Sequence, residues 1–239
     1  MTYCVGLLVD TGLVMLSDSR TNAGVDQINT FRKMATFTRP KDRVLVLMSA
    51  GNLAITQAVI NLLHEPADGD SGATALDLAK NMFDAAKVVG TALRDIHKRD
   101  AEALDNHGHE FNATFILGGQ IKGEPPRLFN IYSAGNFIEA TADTTYFQIG
   151  ESKYGKPIID RVISRSSSLA QASKCALVSM DSTIRSNLSV GLPLDLAIYR
   201  RSSWGSPTSL EGKHRDRPQH YKERRAVIGD DRRLLIGCK

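Results

Sequence analysis

A threonine directly behind the initiator methionine, an aspartate at position 18 and a lysine at position 33 have types and spacing that suit covalent chemistry. A threonine hydroxyl attacks a carbonyl poorly unless a base takes its proton. A free α-amine titrates near about 8 and can serve as that base. Thr2 carries such an amine only when Met1 is removed, and a threonine is small enough at position two for methionine aminopeptidases to accept. A nearby lysine lowers the proton affinity of the amine, and an aspartate holds the lysine charged and oriented. The chemistry would be nucleophilic attack by the threonine hydroxyl, with its own amine as base. The same three residues also read as a strand end, a turn carboxylate and a surface cation. Short motifs match by chance, and residue types alone favour that plainer account.

Thr2 and Asp18 are joined by a hairpin. Residues 2–9, TYCVGLLV, are β-branched and apolar; Asp10-Thr11-Gly12 is a turn signal, and LVMLSD follows as a second strand. A loop of two or three residues around Asp10–Gly12 predicts paired positions summing to about 22 or 23. Asp18 is then expected across from Cys4 or Val5. Thr2 lies two or three residues further on, roughly 7–10 Å away at about 3.3 Å per residue. A third strand is expected over Ile28–Thr38, and placed beside the hairpin it brings Lys33 to the same end.

The remaining elements must cover that hairpin. RVLVLMSAG reads as a buried strand, and NLAITQAVINLLHE as a helix with Asn52 as its N-cap. After Asp68-Gly69-Asp70-Ser71-Gly72, apolar residues at Leu76, Ala79, Met82 or Phe83, Ala86, Val89, Leu93 and Ile96 predict one long amphipathic helix. Strands return as EFNATFILGG, RLFNIYSAG, FIEAT and YFQIG. Helices follow at Tyr154–Ile163 and from Ser168 to Arg185, and LDLAIY at 194–199 is a last strand. Segregated strands and helices argue for an α+β fold. Two helix layers over a strand-rich centre make a four-layer αββα sandwich the economical architecture. No linker is apparent before residue 200, so one domain is expected over 1–202 with a tail over 203–239.

Composition narrows the function classes. The net charge is +4, but residues 203–239 hold nine basic and five acidic residues, leaving the body balanced at 21 of each. A nucleic-acid surface should be built on the folded body, and the body shows no excess of cations, so a nucleic-acid partner is not expected. No apolar run approaches the roughly 20 residues of a membrane span. Cys4, Cys175 and Cys238 are three in number and widely spaced, which suits a reducing compartment. With no secretory signal visible, the cytoplasm is the expected location. His64, His107 and His109 lack metal-ligand spacing, Cys4 reads as a small hydrophobe, and Gly118-Gly119 leads into no helix that would make a phosphate loop.

The run TYCVGLLVDTGLVMLSDSR resembles the start of a mature proteasome-type β subunit, with Thr2, Gly6 and Asp18-Ser19-Arg20 where that family places them. Lys33 sits one residue nearer the N-terminus than the family lysine. SAGN (49–52) resembles the segment whose glycine lends a backbone N–H to the oxyanion, making Gly51 the candidate. The combination MTYCVG, DSRTNAGVDQI, NIYSAGNFIEAT, QIGESKYGKPIIDR and DSTIRSNLSVGLPLDL is similar to the bacterial ancestral β-subunit branch, Anbu, over about residues 2–200. The resemblance implies an N-terminal-nucleophile hydrolase sandwich and a threonine peptidase or amidase acting on peptide or protein. It implies catalysis by Thr2 with Lys33, Asp18 and Gly51, without metal or organic cofactor. It also implies a homo-oligomer, ring or open spiral, and leaves any unfoldase partner unnamed.

This sequence departs from the general pattern in the groups that support the N-terminal amine. Where the family has an Asp and a Ser spaced by three, SNLSVG puts Ser186 in place of the Asp and keeps Ser189. The family Gly-Ser turn appears as Gly150-Glu151-Ser152, with either Glu151 or Ser152 in the supporting role. The missing carboxylate at 186 opens an alternative, a catalytically weak or inactive self-assembling subunit of the same fold. The tail from Ser203 is basic, aperiodic and unlike Anbu ends. It reads as a divergent or frameshifted end or as a real basic arm, and disorder fits either.

Overall fold

The computed structural model describes residues 1–22, 28–67, 72–108, 110–201, 226–229 and 232–238. The chain opens with strands β1 (Tyr3–Val9), β2 (Gly12–Asp18), β3 (Arg20–Asn22), β4 (Ile28–Thr30), β5 (Met34–Arg39) and β6 (Arg43–Gly51). Helices α1 (Leu53–His64), α2 (Ala75–Leu78) and α3 (Met82–Asn106) follow. Strands β7 (Ala113–Ile121), β8 (Arg127–Ile131), β9 (Phe137–Glu139) and β10 (Tyr146–Gly150) precede helices α4 (Lys156–Val162) and α5 (Leu169–Ser186). Strands β11 (Leu194–Arg200), β12 (Ala226–Gly229) and β13 (Arg232–Cys238) complete the order. This is an α+β fold in which strands and helices are segregated along the chain.

Among the described residues one sheet runs β10-β1-β2-β11-β12-β13, a second runs β5-β6-β7-β8-β9, and β3 and β4 form a two-stranded ribbon. Three apolar clusters hold these parts together. Tyr3, Val5, Leu7 and Val9 of β1, with Leu16 of β2, pack on Ala172, Ala176 and Met180 of α5. Cys4, Leu8, Leu13 and Met15 point the other way, onto Val46, Met48 and Ile116 of the second sheet. The outer face of that second sheet, at Leu45, Leu47 and Phe115, packs on α1 and α3 through Val59, Ala86, Val89 and Leu93. Covered on both faces, β1 and β2 are buried at every residue, which is why their sequences are nearly continuous apolar runs rather than alternations.

The hairpin register differs from expectation by one residue or more. Val9 pairs with Gly12 and Cys4 with Ser17, so positions sum to 21 and Asp18 is level with Tyr3 rather than with Cys4 or Val5. The loop is the dipeptide Asp10-Thr11, because Gly12 already belongs to β2. A Cβ at Gly12 would overlap the carbonyl oxygen of Tyr199 on β11, so only glycine lets the strands approach there. Because side chains alternate with period two, the slip decides which face each residue presents.

Two further expectations are corrected. Ile28–Thr38 is two strands: β4 pairs with β3, and β5 pairs with β6 in the other sheet. The chain crosses between them at Phe31–Lys33, where Phe31 N donates to Ser19 O (2.9 Å) and Lys33 O accepts from Ser49 N (2.9 Å). The long helix is interrupted between α2 and α3. Arg43 Nη1 takes the carbonyls of Leu76 (2.6 Å) and Ala79 (2.9 Å), and Asn81 starts a new helix by accepting from Asp84 N at 2.8 Å. Met82, fully buried, carries the apolar stripe, and Phe83 is exposed. The expected N-cap holds: Asn52 Oδ1 accepts from Ala54 N at 2.9 Å at the start of α1.

No described helix is long and apolar enough to cross a membrane. The turn at 68–71, positions 23–27 of the DSRTNAGVDQI motif, His109, and residues 202–225 of the tail region lie outside the described residues. His64 stacks on Phe37 with ring centroids 4.5 Å apart, and a ring nitrogen of His107 hydrogen-bonds with Ala103 O at 2.8 Å.

Candidate active site

Asp18 ends β2 with no exposed surface, and its carboxylate gathers donors from three parts of the chain. Tyr3 N donates to Oδ1 at 2.9 Å, Lys33 Nζ to the same oxygen at 2.8 Å, and Gly191 N reaches Oδ2 at 3.4 Å. Lys33, only 5% exposed, also donates to Arg20 O at 2.7 Å. A charge taken out of water is tolerated only when paired and hydrogen-bonded, and this pair is both. Burial pushes the Asp18 carboxyl above its ordinary value, while the charge of Lys33 and the N–H groups of Tyr3 and Gly191 pull against it.

Thr2 is next in line on β1's end and is itself nearly buried. Its carbonyl accepts from Glu151 N at 2.7 Å. Gly150 makes that contact feasible: its φ is +83°, and a Cβ there would overlap Thr2 O. The α-amine of the chain, carried by Met1, sits close by at the same cleft. Burial, and then the charge of Lys33, press it below the ordinary α-amine range, with Asp18 opposing.

A cleft of about 690 Å³ opens against these groups and is lined by Thr2, Lys33, Ser49, Gly51, Asn112 and Gly150, among others. Gly51 reaches it as the last residue of β6, opposite Ala113 on β7. The cleft therefore gathers four of the residues singled out in the sequence: Thr2 and Lys33 on its wall, Gly51 on its rim, and Asp18 directly behind Lys33. A second cavity, about 650 Å³, lies between α1 and α3 and shares none of these residues. Cys4 is fully buried, its thiol pushed far up by desolvation and donating to Ser49 O at 3.6 Å, which suits a packing role.

The serines are arranged differently. Ser152 is exposed and gives its backbone N–H to Glu151 Oε1 at 2.9 Å. Ser186 is the exposed last residue of α5, and Ser189 gives its backbone N–H to Asn187 Oδ1 at 2.9 Å. Among the described residues none of their hydroxyls is hydrogen-bonded to Thr2, Lys33 or Asp18. The groups that sequence reasoning missed are backbone or neighbouring ones: Tyr3 N, Arg20 O, Gly191 N and Asn187. Backbone contacts carry no residue-type signal. Asn187 had one, a helix-ending asparagine a single position after Ser186.

Solved structures resemble the chain closely. Anbu (ancestral beta-subunit) from Yersinia bercovieri is 56% identical, with a TM-score of 0.77 over 85% of this chain and 83% of that one. A structure described as the helical assembly of the Anbu complex from Pseudomonas aeruginosa is 51% identical, with a TM-score of 0.79 over 84% and 83%. Anbu from Hyphomicrobium sp. strain MC1 is 51% identical, with a TM-score of 0.76 over 86% and 84%. No family model matches the chain, and no curated protein matches it either. At 51–56% identity over 84–86% of its length, the chain belongs to the Anbu, or ancestral beta-subunit, family.

Proposed function

We propose that this chain is a threonine-nucleophile amide or peptide hydrolase of proteasome type, built on a four-layer αββα sandwich of the N-terminal-nucleophile class. The observation that carries the reading is the buried Lys33–Asp18 pair at 2.8 Å, lying behind a cleft that Thr2 also lines. A solvent-excluded ion pair is costly to build, and here it faces the one residue that can become a nucleophile with its own base.

In this reading Met1 is removed and the amine of Thr2 takes the proton of Thr2 Oγ1, directly or through one water. Oγ1 attacks the carbonyl of a peptide or protein substrate, and the backbone N–H of Gly51 stabilises the oxyanion. The proton passes to the departing amine, leaving an ester on Thr2. Water then hydrolyses the ester and restores the hydroxyl. Lys33, oriented by Asp18, keeps the Thr2 amine poised as a base by opposing its protonation. Support for the amine from Ser152, Ser186 or Ser189 runs through water or backbone rather than through direct contact with Thr2.

Self-assembly is part of the proposal, since a relative at 51% identity is described as a helical assembly. We place the enzyme in the cytoplasm, as a homo-oligomer. A second reading, an assembly subunit with little or no activity, is favoured by the serine at 186 where the general pattern has a carboxylate. Intact mass and acylation separate the two. The hydrolase should lack Met1 and take one equivalent of a threonine-directed electrophile, and Thr2→Ala should take none. A chain that keeps Met1 and remains unlabelled belongs to the second reading.

A further inference from the structure

Glu151 is the unexplained charge of this region. The residue is 6% exposed, and no cation pairs with it among the described residues. Its Oε1 accepts from Ser152 N and Lys153 N, both at 2.9 Å, and its Oε2 from Asn187 Nδ2 at 2.8 Å. These donors, the Lys153 N–H foremost, then Asn187 and Ser152, hold the carboxyl below its ordinary range against the burial that opposes them. The backbone N–H of the same residue holds Thr2 O at 2.7 Å.

Asn187 belongs to a different element, the C-cap of α5, where its N–H closes on Thr183 O at 2.8 Å. Its Oδ1 accepts from Ser189 N, and the same loop continues to Gly191, whose N–H reaches Asp18. A continuous run of contacts therefore joins the Thr2 carbonyl, through Glu151 and Asn187, to the loop that also touches the Asp18 carboxylate.

We propose that Glu151 and Asn187 form a latch that positions Thr2 for attack, Glu151 acting through its backbone N–H and Asn187 by anchoring its carboxylate. The inference rests on the hydrolase reading above. Glu151 is a positioning residue here and not an acid or base: its carboxylate is taken up by Ser152 N, Lys153 N and Asn187 Nδ2, and its backbone N–H is what reaches Thr2. Displacement of a reacting group by an ångström costs rate more than binding, so the loss should appear in the maximal rate.

The donor–acceptor pattern supplies the test. Glu151→Gln sets an amide NH₂ against the NH₂ of Asn187, and Asn187→Asp sets two carboxylates together. Made jointly, the two changes restore one donor and one acceptor with reversed polarity. Each single variant should lower the maximal rate of Thr2 acylation by a peptide β-lactone about tenfold while changing its binding constant less than about threefold, and the double variant should recover most of the rate. The midpoint of the pH–rate profile should stay at its wild-type value in Glu151→Gln. Amide exchange at Glu151 N–H should quicken about tenfold in the singles and slow again in the double. Unchanged acylation rates in both singles, or a double no better than the worse single, would overturn the latch. If the wild-type chain is not acylated, the hydrolase reading fails on its own. Exchange then judges the latch: unaltered Glu151 protection in both singles overturns it, and faster exchange rescued in the double upholds Thr2 positioning without the chemistry.

Discussion

Lys33 Nζ meets Asp18 Oδ1 at 2.8 Å although Asp18 ends a strand of one sheet and Lys33 immediately precedes β5 of the other. The ion pair thus ties the two sheets together at the point where Thr2 emerges from β1. Its removal tests structure and chemistry at once.

Lys33→Ala should abolish Thr2 acylation and lower stability by about 3–5 kcal/mol at neutral pH, because Asp18 is left charged, buried and without its cation. The sign of the pH dependence follows. Without Lys33 the folded-state pKa of Asp18 rises further above its unfolded value. The deficit should therefore grow as pH climbs through the wild-type folded value of Asp18, which lies above the unfolded value of about 3.9, and vanish below it. Urea unfolding at several pH values measures this. A deficit independent of pH would mean that Asp18 is not the group left stranded.

The acylation rate should rise with pH as the amine of Thr2 loses its proton. Burial and Lys33 press the α-amine of Met1 down, and Thr2 lines the same cleft as Lys33, so once Met1 is removed the midpoint should likewise fall below the ordinary α-amine value of about 8. A pH–rate profile on the mature protein reads it directly; a midpoint at or above 8 would remove Lys33 from control of the amine.

Gly150→Ala should cost about 1–3 kcal/mol, since a non-glycine residue is strained at φ +83° and the new methyl overlaps Thr2 O. Acylation should fall at least about tenfold through displacement of Thr2. Thermal unfolding and labelling kinetics together check it, and a variant with wild-type labelling would show that Thr2 tolerates the shift.

Ser179→Ala offers a contrast on the helix side of β1. The Ser179 hydroxyl hydrogen-bonds with Tyr3 Oη and lies within 2.8 Å of Gly155 O, all of it buried and turned away from the cleft. Leaving the Tyr3 hydroxyl without its partner should cost about 1–3 kcal/mol. Acylation of Thr2 should keep its wild-type rate, and a large loss of rate would mean that the α5 packing layer also positions Thr2.

Local chemistry was legible in the residue string. Turn residues and apolar runs identified the N-terminal hairpin, the α1 cap at Asn52, the helix ending near Arg185 and the strand over 194–199, because propensity, capping and periodicity act within a few residues. The resemblance carried by separated motifs pointed to the Anbu family. The register of the hairpin was not legible. It depends on Gly12 meeting Tyr199 O on β11, a contact 187 residues distant in sequence.

The break between α2 and α3 was hidden in the same way, since an uninterrupted apolar stripe continues through it while Arg43 draws off two carbonyls from a strand far upstream. Thr2, Asp18 and Lys33 were nameable from type and spacing, but how they come together was not. Lys33 was expected alongside the hairpin and instead arrives from the opposing sheet. Glu151 and Asn187 meet only because α5 ends beside the turn after β10. Sequence by itself determined the elements and the inventory of reactive groups, for those obey short-range rules. Tertiary structure decided which donor faces which carboxylate, since that is set by sheet stacking and loop closure between distant segments.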